Sequence, residues 1–484
     1  MVGKLNNLEP QGVFQFFDEI AQIPHGSYNC KAIADYCEAF VQSHKYEYVR
    51  DQWDNIVVTV PPTAQYENAE PVMLQAHLDM VCEKTSDSTH NFETDPLDLH
   101  IDGDYIYAKN TTLGADDGIG VAMMLGILAN PHLPHPKLYC IFTTEEEVGM
   151  DGATAIDLSN YKDAKYLINL DSEDDDTLLA GCAGGSHIWG NLPVRKTKAK
   201  GIVTSLKVGG LLGGHSGVEI SSFGGNSNII MGEVLHHLGK QVDFSLISIN
   251  GGNKDNAIPR ETIAEIIIGS NDVTKVEETI KTLNNTFVKL LSRVDKDLHI
   301  QVNFGESAQY EVFDRESQQK VIFFLQQAPN GVQAMNRSID GLVDTSLNLG
   351  ILETTEKGIE LSFSIRSNKA ESLPILCEKV ATLITHLGGE YQTNGSYPPW
   401  EYKADSKLRT VMVDIYKEQH HIEPKIEVIH AGLECGIIFD KLPHLDMISI
   451  GPNMQGIHTT EEKLSISSTL KTWEYLLAVL KALR

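Results

Sequence analysis

The chain has 484 residues, which is too long for one ordinary hydrophobic core and predicts two or three domains. Hydrophobic residues make up 42% of it and charged residues 22%, both near the averages of globular proteins, so neither a disordered nor a fibrous protein is indicated. Acidic residues outnumber basic ones by 66 to 39, a formal net charge of −27, which argues against nucleic acid or an anionic membrane as a partner.

The cysteines and the N-terminal segment bear on the cellular compartment. Seven cysteines form an odd set without C-x-x-C spacing, so a disulfide framework is not expected. Residues 1–12 lack the apolar core of a signal peptide, and the longest apolar run, GVAMMLGILA, is too short to span a bilayer. We therefore expect a cytoplasmic protein.

The first part of the chain alternates helical and strand patterns. Apolar residues spaced three and four apart predict helices over 10–23 and 30–43. Strand patterns and one further helical pattern follow in this order: strands at 55–60 and 71–79, a helix at 117–130, and strands at 137–144 and 165–171. A helix near 406–419, a strand at 446–451 and a helix at 468–483 return to this style. The alternation predicts an α/β layered domain.

The region between these two parts has a different pattern of predicted strands and helices. It is bounded by Gly- or Pro-rich segments, which are typical of domain boundaries. We predict a catalytic domain made of residues 1–184 and 399–484, with an inserted α+β lid domain at 185–398. Two strand-to-helix junctions in the lid carry a Ser-Asn pair, at 270–271 and 367–368. An internal duplication and chance explain this likeness equally well.

His77 and Asp79 stand at the end of the strand pattern PVMLQAHLD. Side chains two apart in a strand point to the same face, so both groups are expected to emerge together at its C-terminal end. The pair by itself is explained equally well by a core histidine beside a solvated carboxylate.

Four further segments place acids or a histidine where strands of this domain are expected to end. They are LGADDGIG with Asp116 and Asp117, TTEEEVG with Glu145, Glu146 and Glu147, NLDSED with Asp171, and GIHTTEE with His458. Each alone has an ordinary explanation, such as a helix cap or a solvated loop. Together they predict a site, because ligands of open α/β sheets gather outside the C-terminal strand ends.

The composition of this predicted site indicates a metal. So many converging carboxylates repel one another and raise one another's pKa values unless divalent cations are bound. Mixed carboxylate and imidazole ligands suit zinc, with manganese or cobalt feasible in the same site.

In combination and in order, these five motifs resemble the co-catalytic dizinc peptidases related to aminoacylase and the glutamate carboxypeptidases, and among them the members that cleave aminoacyl-histidine (Xaa-His) dipeptides. The resemblance covers essentially the whole chain. It implies a zinc-exopeptidase-like mixed sheet flanked by helices, an inserted lid and a metallo-dipeptidase that acts on small Xaa-His dipeptides, carnosine-like ones included. We also expect a homodimer. The alternatives are an aminoacylase, a deacetylase or a broader peptidase on the same scaffold, and a non-catalytic metal-binding protein.

The resemblance also implies roles for single residues of the catalytic domain. Two Zn²⁺ ions per chain, replaceable by Co²⁺ or Mn²⁺, would be bridged by Asp116. The implied metal ligands are His77, Asp116, Glu147, Asp171 and His458. Glu146 would be the general base, and Asp79 would orient His77 from behind. The peptide bond between Asp116 and Asp117 would be cis.

In the lid, the resemblance implies that His215 helps to bind the tetrahedral oxyanion and that Arg366 clamps the C-terminal carboxylate of the substrate. A bidentate guanidinium suits that task. The alternative for both is a polar group at the surface. Weaker candidates for substrate binding are Asn226, Asn256, His430 and Glu434.

Overall fold

The structure is a computed structural model that describes residues 4–222, 224–337 and 339–484. The chain divides into two compact units. Unit 1 contains the described residues up to Cys182 together with Trp400–Val428 and Leu433–Arg484, and unit 2 contains Ala183–Pro399 and Ile429–Gly432. The short segment Ile429–Gly432 therefore belongs to unit 2, although the sequence prediction assigned it to the catalytic domain.

The elements up to residue 182 alternate as the sequence predicts. The helices are α1 Gln11–Ile20, α2 Lys31–Ser43, α3 Ala115–Leu128 and α4 Asp151–Ala155. The strands are β1 Glu47–Arg50, β2 Ile56–Val60, β3 Val72–His77, β4 Leu99–Asp102, β5 Tyr105–Ala108, β6 Leu138–Thr143, β7 Tyr166–Asn169 and β8 Thr177–Cys182.

The middle of the chain contains longer strands. They are β9 Gly184–Leu192, β10 Lys196–Gly209, β11 Gly214–His215, β12 Phe244–Gly251, β13 Ala257–Ile258, β14 Thr262–Ile268, β15 His299–Phe313, β16 Gly331–Met335, β17 Val343–Thr354, β18 Ile359–Ser367 and β19 Glu390–Tyr397. The helices are α5 Ser227–Gly239, α6 Val273–Leu291, α7 Arg315–Gln327 and α8 Ser372–His386.

The last part of the chain returns to short strands. They are β20 Lys425–Ile429, β21 Asp446–Ser449, β22 Met454–Gln455 and β23 Lys463–Ser465. The helices are α9 Lys407–His420, α10 Glu434–Lys441 and α11 Ile466–Ala482. Single 3₁₀ turns lie at Ser159–Tyr161, Ile220–Ser222 and Ser270–Asp272.

Unit 1 is built on a mixed eight-stranded sheet with the order β1-β2-β6-β3-β7-β21-β8-β20. Strand β3 pairs in parallel with β6 and β7, and β7 pairs in parallel with β21, whereas β2 runs antiparallel to both β1 and β6. The predicted mixed α/β arrangement is confirmed. Because the parallel strands run in one direction, their C-terminal ends open at one edge of the sheet, where ligands of such sheets collect.

Helix α3 is apolar on all sides, and each of its 14 residues is buried, as expected for a helix inside a core. Its first turn is irregular, since Asp116 and Asp117 have non-helical backbone angles. Gly114, which precedes the helix, has φ +68°, and a Cβ there would lie 2.8 Å from the sulfur of Met80. Glycine is therefore required at this entry to the helix.

Unit 2 is built on a nine-stranded sheet whose main path is β15-β10-β14-β12-β17-β18-β9-β19, with β16 added beside β17. The described strand pairs of this sheet are antiparallel, and helices lead away from β14 and β18 as predicted. Each unit has its own hydrophobic core. None of the helices in the described part of the chain combines the length and apolarity needed to span a bilayer.

Candidate active site

Three predicted metal ligands meet where β3, β7 and α3 end or begin. His77 is the last residue of β3, Asp171 lies two residues beyond β7, and Asp116 lies in the first turn of α3. The Nε2 atom of His77 is 3.1 Å from Oδ1 of Asp116 and 3.7 Å from Oδ1 of Asp171. One imidazole and two carboxylates thus face a common point.

A second group forms around the other oxygen of Asp116. The Nε2 atom of His458 lies 3.0 Å from Oδ2 of Asp116 and 3.0 Å from Oε2 of Glu147. Two donors bound to one zinc ion at about 2.1 Å and a tetrahedral angle lie about 3.4 Å apart, close to the distances seen here. Two groups that share one carboxylate therefore suit a pair of ions. The peptide bond between Asp116 and Asp117 is cis, as the resemblance implies.

The three consecutive glutamates have different surroundings. The carboxylate of Glu145 accepts the backbone N–H of Tyr28 at 2.6 Å, and that of Glu147 contacts His458. The carboxylate of Glu146 has no hydrogen bond or ion pair among the described residues, yet one of its oxygens lies within 4.8 Å of the donor atoms of His77 and Glu147. Of the three, Glu146 alone has a carboxylate free to act on a ligand.

Asp79 holds both the histidine and the glutamate loop. Nδ1 of His77 lies 3.0 Å from the backbone oxygen of Asp79 and 3.5 Å from its Oδ1. The carboxylate accepts the backbone N–H groups of Glu146 and Glu147 at 3.0 and 3.2 Å, and the hydroxyl of Ser27 at 2.8 Å. Besides orienting His77, Asp79 therefore fixes the backbone that carries Glu146, a contact that the sequence prediction did not include.

The pKa shifts in this site reflect an excess of buried acid. Burial, with the nearby carboxylates, raises the pKa of Asp171 to about 8 and holds the pKa of Glu146 well above its ordinary value. Hydrogen bonds to Asp116 and Glu147 raise the pKa of His458 to about 11. Burial opposes protonation of His77, but its acidic neighbours hold its pKa well above the usual range. Added cations relieve such repulsion, so the site is suited to bind them.

Two further acids, Glu462 and Asp117, support the site through contacts that the sequence analysis did not predict. The buried carboxylate of Glu462 accepts the N–H groups of Leu113, Gly114 and Ala115 at 2.6, 3.1 and 2.8 Å. The carboxylate of Asp117 accepts the backbone N–H of His77 at 3.2 Å. The sequence shows an acid four positions after His458, but not that it binds a loop nearly 350 residues away.

Glu434, a predicted substrate-binding residue, lies behind the ends of β3 and β6 in unit 1. It begins α10 and has no exposed surface. Its Oε2 accepts hydrogen bonds from Gln75 at 2.5 Å and Thr143 at 2.6 Å. Burial raises the pKa of Glu434 to about 7. Complete burial leaves this carboxylate no surface on which a substrate could bind directly.

Unit 2 brings Arg366 and two histidines together. Arg366 is only 7% exposed, and it donates to the hydroxyl of Tyr397 at 3.0 Å and lies 3.5 Å from Nε2 of His215. No carboxylate pairs with it in the described part of the chain. Nε2 of His430 lies 2.8 Å from the hydroxyl of Ser346.

The charge of this cluster is opposite to that of the metal-type site. Burial, followed by the positive charge of Arg366, lowers the pKa of His215 and brings that of His430 to about 3. Both histidines are therefore neutral near pH 7. A buried guanidinium among neutral groups suits an anionic ligand.

The two predicted asparagines have unlike environments. Asn226 is the N-cap of α5, where its side-chain oxygen accepts from Asn228 and Ile229, which explains this residue without a ligand. Asn256 is exposed, its backbone carbonyl accepts from Ser216 at 2.8 Å, and it lines a cavity of about 1310 Å³ together with His215.

Comparison with known proteins agrees with this geometry. The sequence model of Peptidase family M20/M25/M40 matches residues 73–482. Cytosol non-specific dipeptidase from Escherichia coli (strain K12) is 36% identical over 482 residues, 99% of each chain. The crystal structure of aminoacylhistidine dipeptidase from Vibrio alginolyticus matches with a TM-score of 0.92 at 33% identity, over 99% of this chain and 98% of that one.

A more distant match concerns the fold alone. The crystal structure of a tripeptidase from Staphylococcus aureus subsp. aureus mu50 has a TM-score of 0.54 at 15% identity, over 98% of this chain and 99% of that one. The family match and the full-length similarity to the two dipeptidases together confirm the resemblance found in the sequence motifs. The chain belongs to Peptidase family M20/M25/M40.

Proposed function

We propose that this protein is a metal-dependent dipeptidase that hydrolyses Xaa-His dipeptides, with tolerance for an N-terminal β-amino acid as in carnosine. The observation that carries the proposal is the pair of imidazole and carboxylate groups that share Asp116. Full-length similarity to two proteins named as dipeptidases supports the reaction class.

The metals in this proposal are two Zn²⁺ ions per chain, with Co²⁺ or Mn²⁺ able to substitute. His77, Asp116 and Asp171 would hold one ion, and Asp116, Glu147 and His458 would hold the other. When bound, the two dications would acidify a water molecule and polarise the scissile carbonyl group.

In this proposal Glu146 is the general base. Its carboxylate takes a proton from the attacking water and returns it to the departing amine. Asp79 positions Glu146 through the backbone N–H of that residue. No other glutamate of the TTEEEVG segment has a free carboxylate among the described residues.

The residues of unit 2 are proposed to bind the substrate. Arg366 has no acidic partner among the described residues and would take the C-terminal carboxylate, with Asn256 as a further polar contact. Nδ1 of His215 accepts the N–H groups of Gly217 and Val218, both at 3.3 Å. The neutral ring therefore carries its proton on Nε2 and would donate it to the developing oxyanion.

A second candidate is a dipeptidase of broad specificity, which the name of the Escherichia coli relative favours. An aminoacylase or deacetylase on the same scaffold is the remaining alternative. We also propose that the protein is a homodimer and is cytoplasmic, the latter supported by the same relative's name. Size-exclusion chromatography with light scattering tests the dimer.

The test of function is steady-state kinetics on Gly-His, β-Ala-His, Gly-Leu, Gly-Gly-His and an N-acetyl amino acid, with zinc and after chelation. We expect the highest kcat/KM for Gly-His. Equal rates for Gly-Leu would favour the broad dipeptidase. Faster cleavage of the tripeptide or the acetylated compound would overturn the dipeptidase proposal.

A further inference from the structure

Glu434 lies at the centre of a buried network of polar side chains. Its Oε2 accepts hydrogen bonds from Gln75 Nε2 at 2.5 Å and from Thr143 Oγ1 at 2.6 Å. Oε1 of Gln75 in turn accepts from Nδ2 of Asn169 at 2.7 Å. Each of these four residues has a relative exposure of 0%. Polar groups this deep are costly unless they bond to one another, and these hydrogen bonds pair them, whereas Oε1 of Glu434 is buried without a hydrogen-bond partner among the described residues.

The members of the network stand just behind the residues of the candidate active site. Gln75 precedes His77 by two positions, Thr143 precedes Glu146 by three, and Asn169 precedes Asp171 by two. The side-chain oxygen of Asn169 also accepts the backbone N–H of Asp171 at 3.3 Å. The network thus connects the ends of β3, β6 and β7 at the points where each chain segment enters the site.

We infer that Glu434 is a positioning residue, which holds these three strand ends in register and has no contact with the substrate. Two hydrogen bonds converge on its Oε2, one from Gln75 of β3 and one from Thr143 of β6, so this one side chain ties two strand ends together. The inference rests on the proposed function and deepens it. It replaces the substrate-binding role that the sequence suggested for this residue.

The physical reason for an effect on activity is geometric. Without Glu434, Gln75 Nε2 keeps only its contact with Thr143 Oγ1 at 3.1 Å, and Thr143 Oγ1 keeps only the backbone oxygen of Ala76 at 3.4 Å, among the described residues. These buried groups lose their shortest hydrogen bonds, and the strand ends shift to recover them. A displacement of about 1 Å in reacting groups costs on the order of 10²-fold in rate.

The experiment compares Glu434→Ala, Glu434→Gln and, as a control, Cys435→Ala, which removes the next buried side chain of the same helix. Kinetics on Gly-His are combined with zinc titration of the metal-free protein and with thermal unfolding. We expect Glu434→Ala to lower kcat and zinc affinity by about 10- to 100-fold, as for other residues that support metal ligands, while KM stays the same. Glu434→Gln keeps an acceptor oxygen and should therefore retain most of the wild-type kcat and zinc affinity.

Other results would overturn the inference. A rise in KM with unchanged kcat and zinc affinity would mean that Glu434 contacts the substrate. Equal losses in Glu434→Ala and Cys435→Ala would mean that any lost packing at this helix has the same effect. If Glu434→Ala fails to fold, Thr143→Val removes one donor with little change in volume, and we expect a smaller loss in the same direction.

The zinc titration separates this inference from the proposed function. If the metal-loaded wild-type protein cleaves no dipeptide, the proposed function fails. Weaker zinc binding by Glu434→Ala, restored in Glu434→Gln, would still support the positioning role, and unchanged zinc binding would refute it.

Discussion

The acidic site of unit 1 and the Arg366 cluster of unit 2 are both partly buried, yet their histidines shift in opposite directions. His458 has its pKa raised to about 11 by the hydrogen bonds of two carboxylates, whereas His430 has its pKa lowered to about 3 by burial and by Arg366. One cluster has an excess of acids, and the other has an arginine without an acidic partner among the described residues. The direction in which the pKa of each histidine shifts thus follows the sign of the neighbouring charges, and the two clusters are suited to ligands of opposite charge.

The largest expected effect comes from removing metal from the acidic site of unit 1. Chelation should abolish peptidase activity, and added Zn²⁺, Co²⁺ or Mn²⁺ should restore it, because the carboxylates need cations to converge. A ligand present at 1,000 times its dissociation constant stabilises the folded state by about 4 kcal/mol, so the melting temperature should also fall. Metal analysis alongside activity and calorimetry checks this prediction. Full activity in protein without transition metal would refute it.

The next effect separates the proton acceptor from the metal ligands. Glu146→Gln should retain two metal ions but lose at least ~10²-fold in kcat, the usual scale for a general base. The matched control is Glu145→Gln, which alters the residue held by Tyr28 and should change kcat far less. Wild-type turnover in Glu146→Gln, or a larger loss in the control, would assign the base elsewhere.

The cationic cluster should respond through substrate binding. Arg366→Ala should raise KM for dipeptides with little change in metal content. The lost transition-state stabilisation, calculated from the fall in kcat/KM, should be roughly 2–5 kcal/mol, which is typical for truncating one partner of a buried charge pair. Arg366→Lys should not restore it, because lysine lacks the planar fork. Tyr397→Phe is a milder control. If Arg366→Ala cleaves dipeptides with a free and with an amidated C-terminus at wild-type kcat and KM, Arg366 does not bind the substrate carboxylate.

The smallest effect is the pH dependence of stability. In metal-free protein the pKa of Asp171 is raised from 3.8 to about 8 and that of His458 from 6.5 to about 11. Both shifts favour the protonated folded state, so unit 1 should lose stability as pH rises from 3.8 through 8 for Asp171 and from 6.5 towards 11 for His458. His430, with its pKa lowered to about 3, should instead cost stability as pH falls from 6.5 towards 3.

Calorimetry across this range, with chelator present, measures both slopes. His430→Gln should reduce the loss of stability as pH falls below 6.5 and should leave the loss of stability at alkaline pH unchanged. Bound zinc should reverse the slope that comes from unit 1, because its ligands bind metal only when deprotonated. The same slope with and without zinc would contradict the assignment of these residues as ligands.

Much of the fold could be predicted from periodicity alone. The strand pattern of PVMLQAHLD and the helix patterns at 10–23 and 30–43 are confirmed as β3, α1 and α2. The long strands β10 and β15 and the helix α10 were not predicted. The first half of β10 and most of β15 are exposed or partly buried, so they lack a clear apolar alternation, and these strands are defined by pairing with each other over their whole lengths, which no local pattern reveals.

The sequence by itself determined which kinds of groups stand at the ends of the parallel strands, because strand direction and side-chain alternation follow from local patterns. It also predicted the family through the order of five motifs. Only the tertiary structure decided which of three adjacent glutamates has a free carboxylate, since Tyr28 and His458 come from distant parts of the chain. The same holds for Glu434 and Glu462, whose partners lie some 290 to 360 residues away. Burial and hydrogen-bond partners depend on packing between remote segments, and a linear sequence does not encode that packing residue by residue.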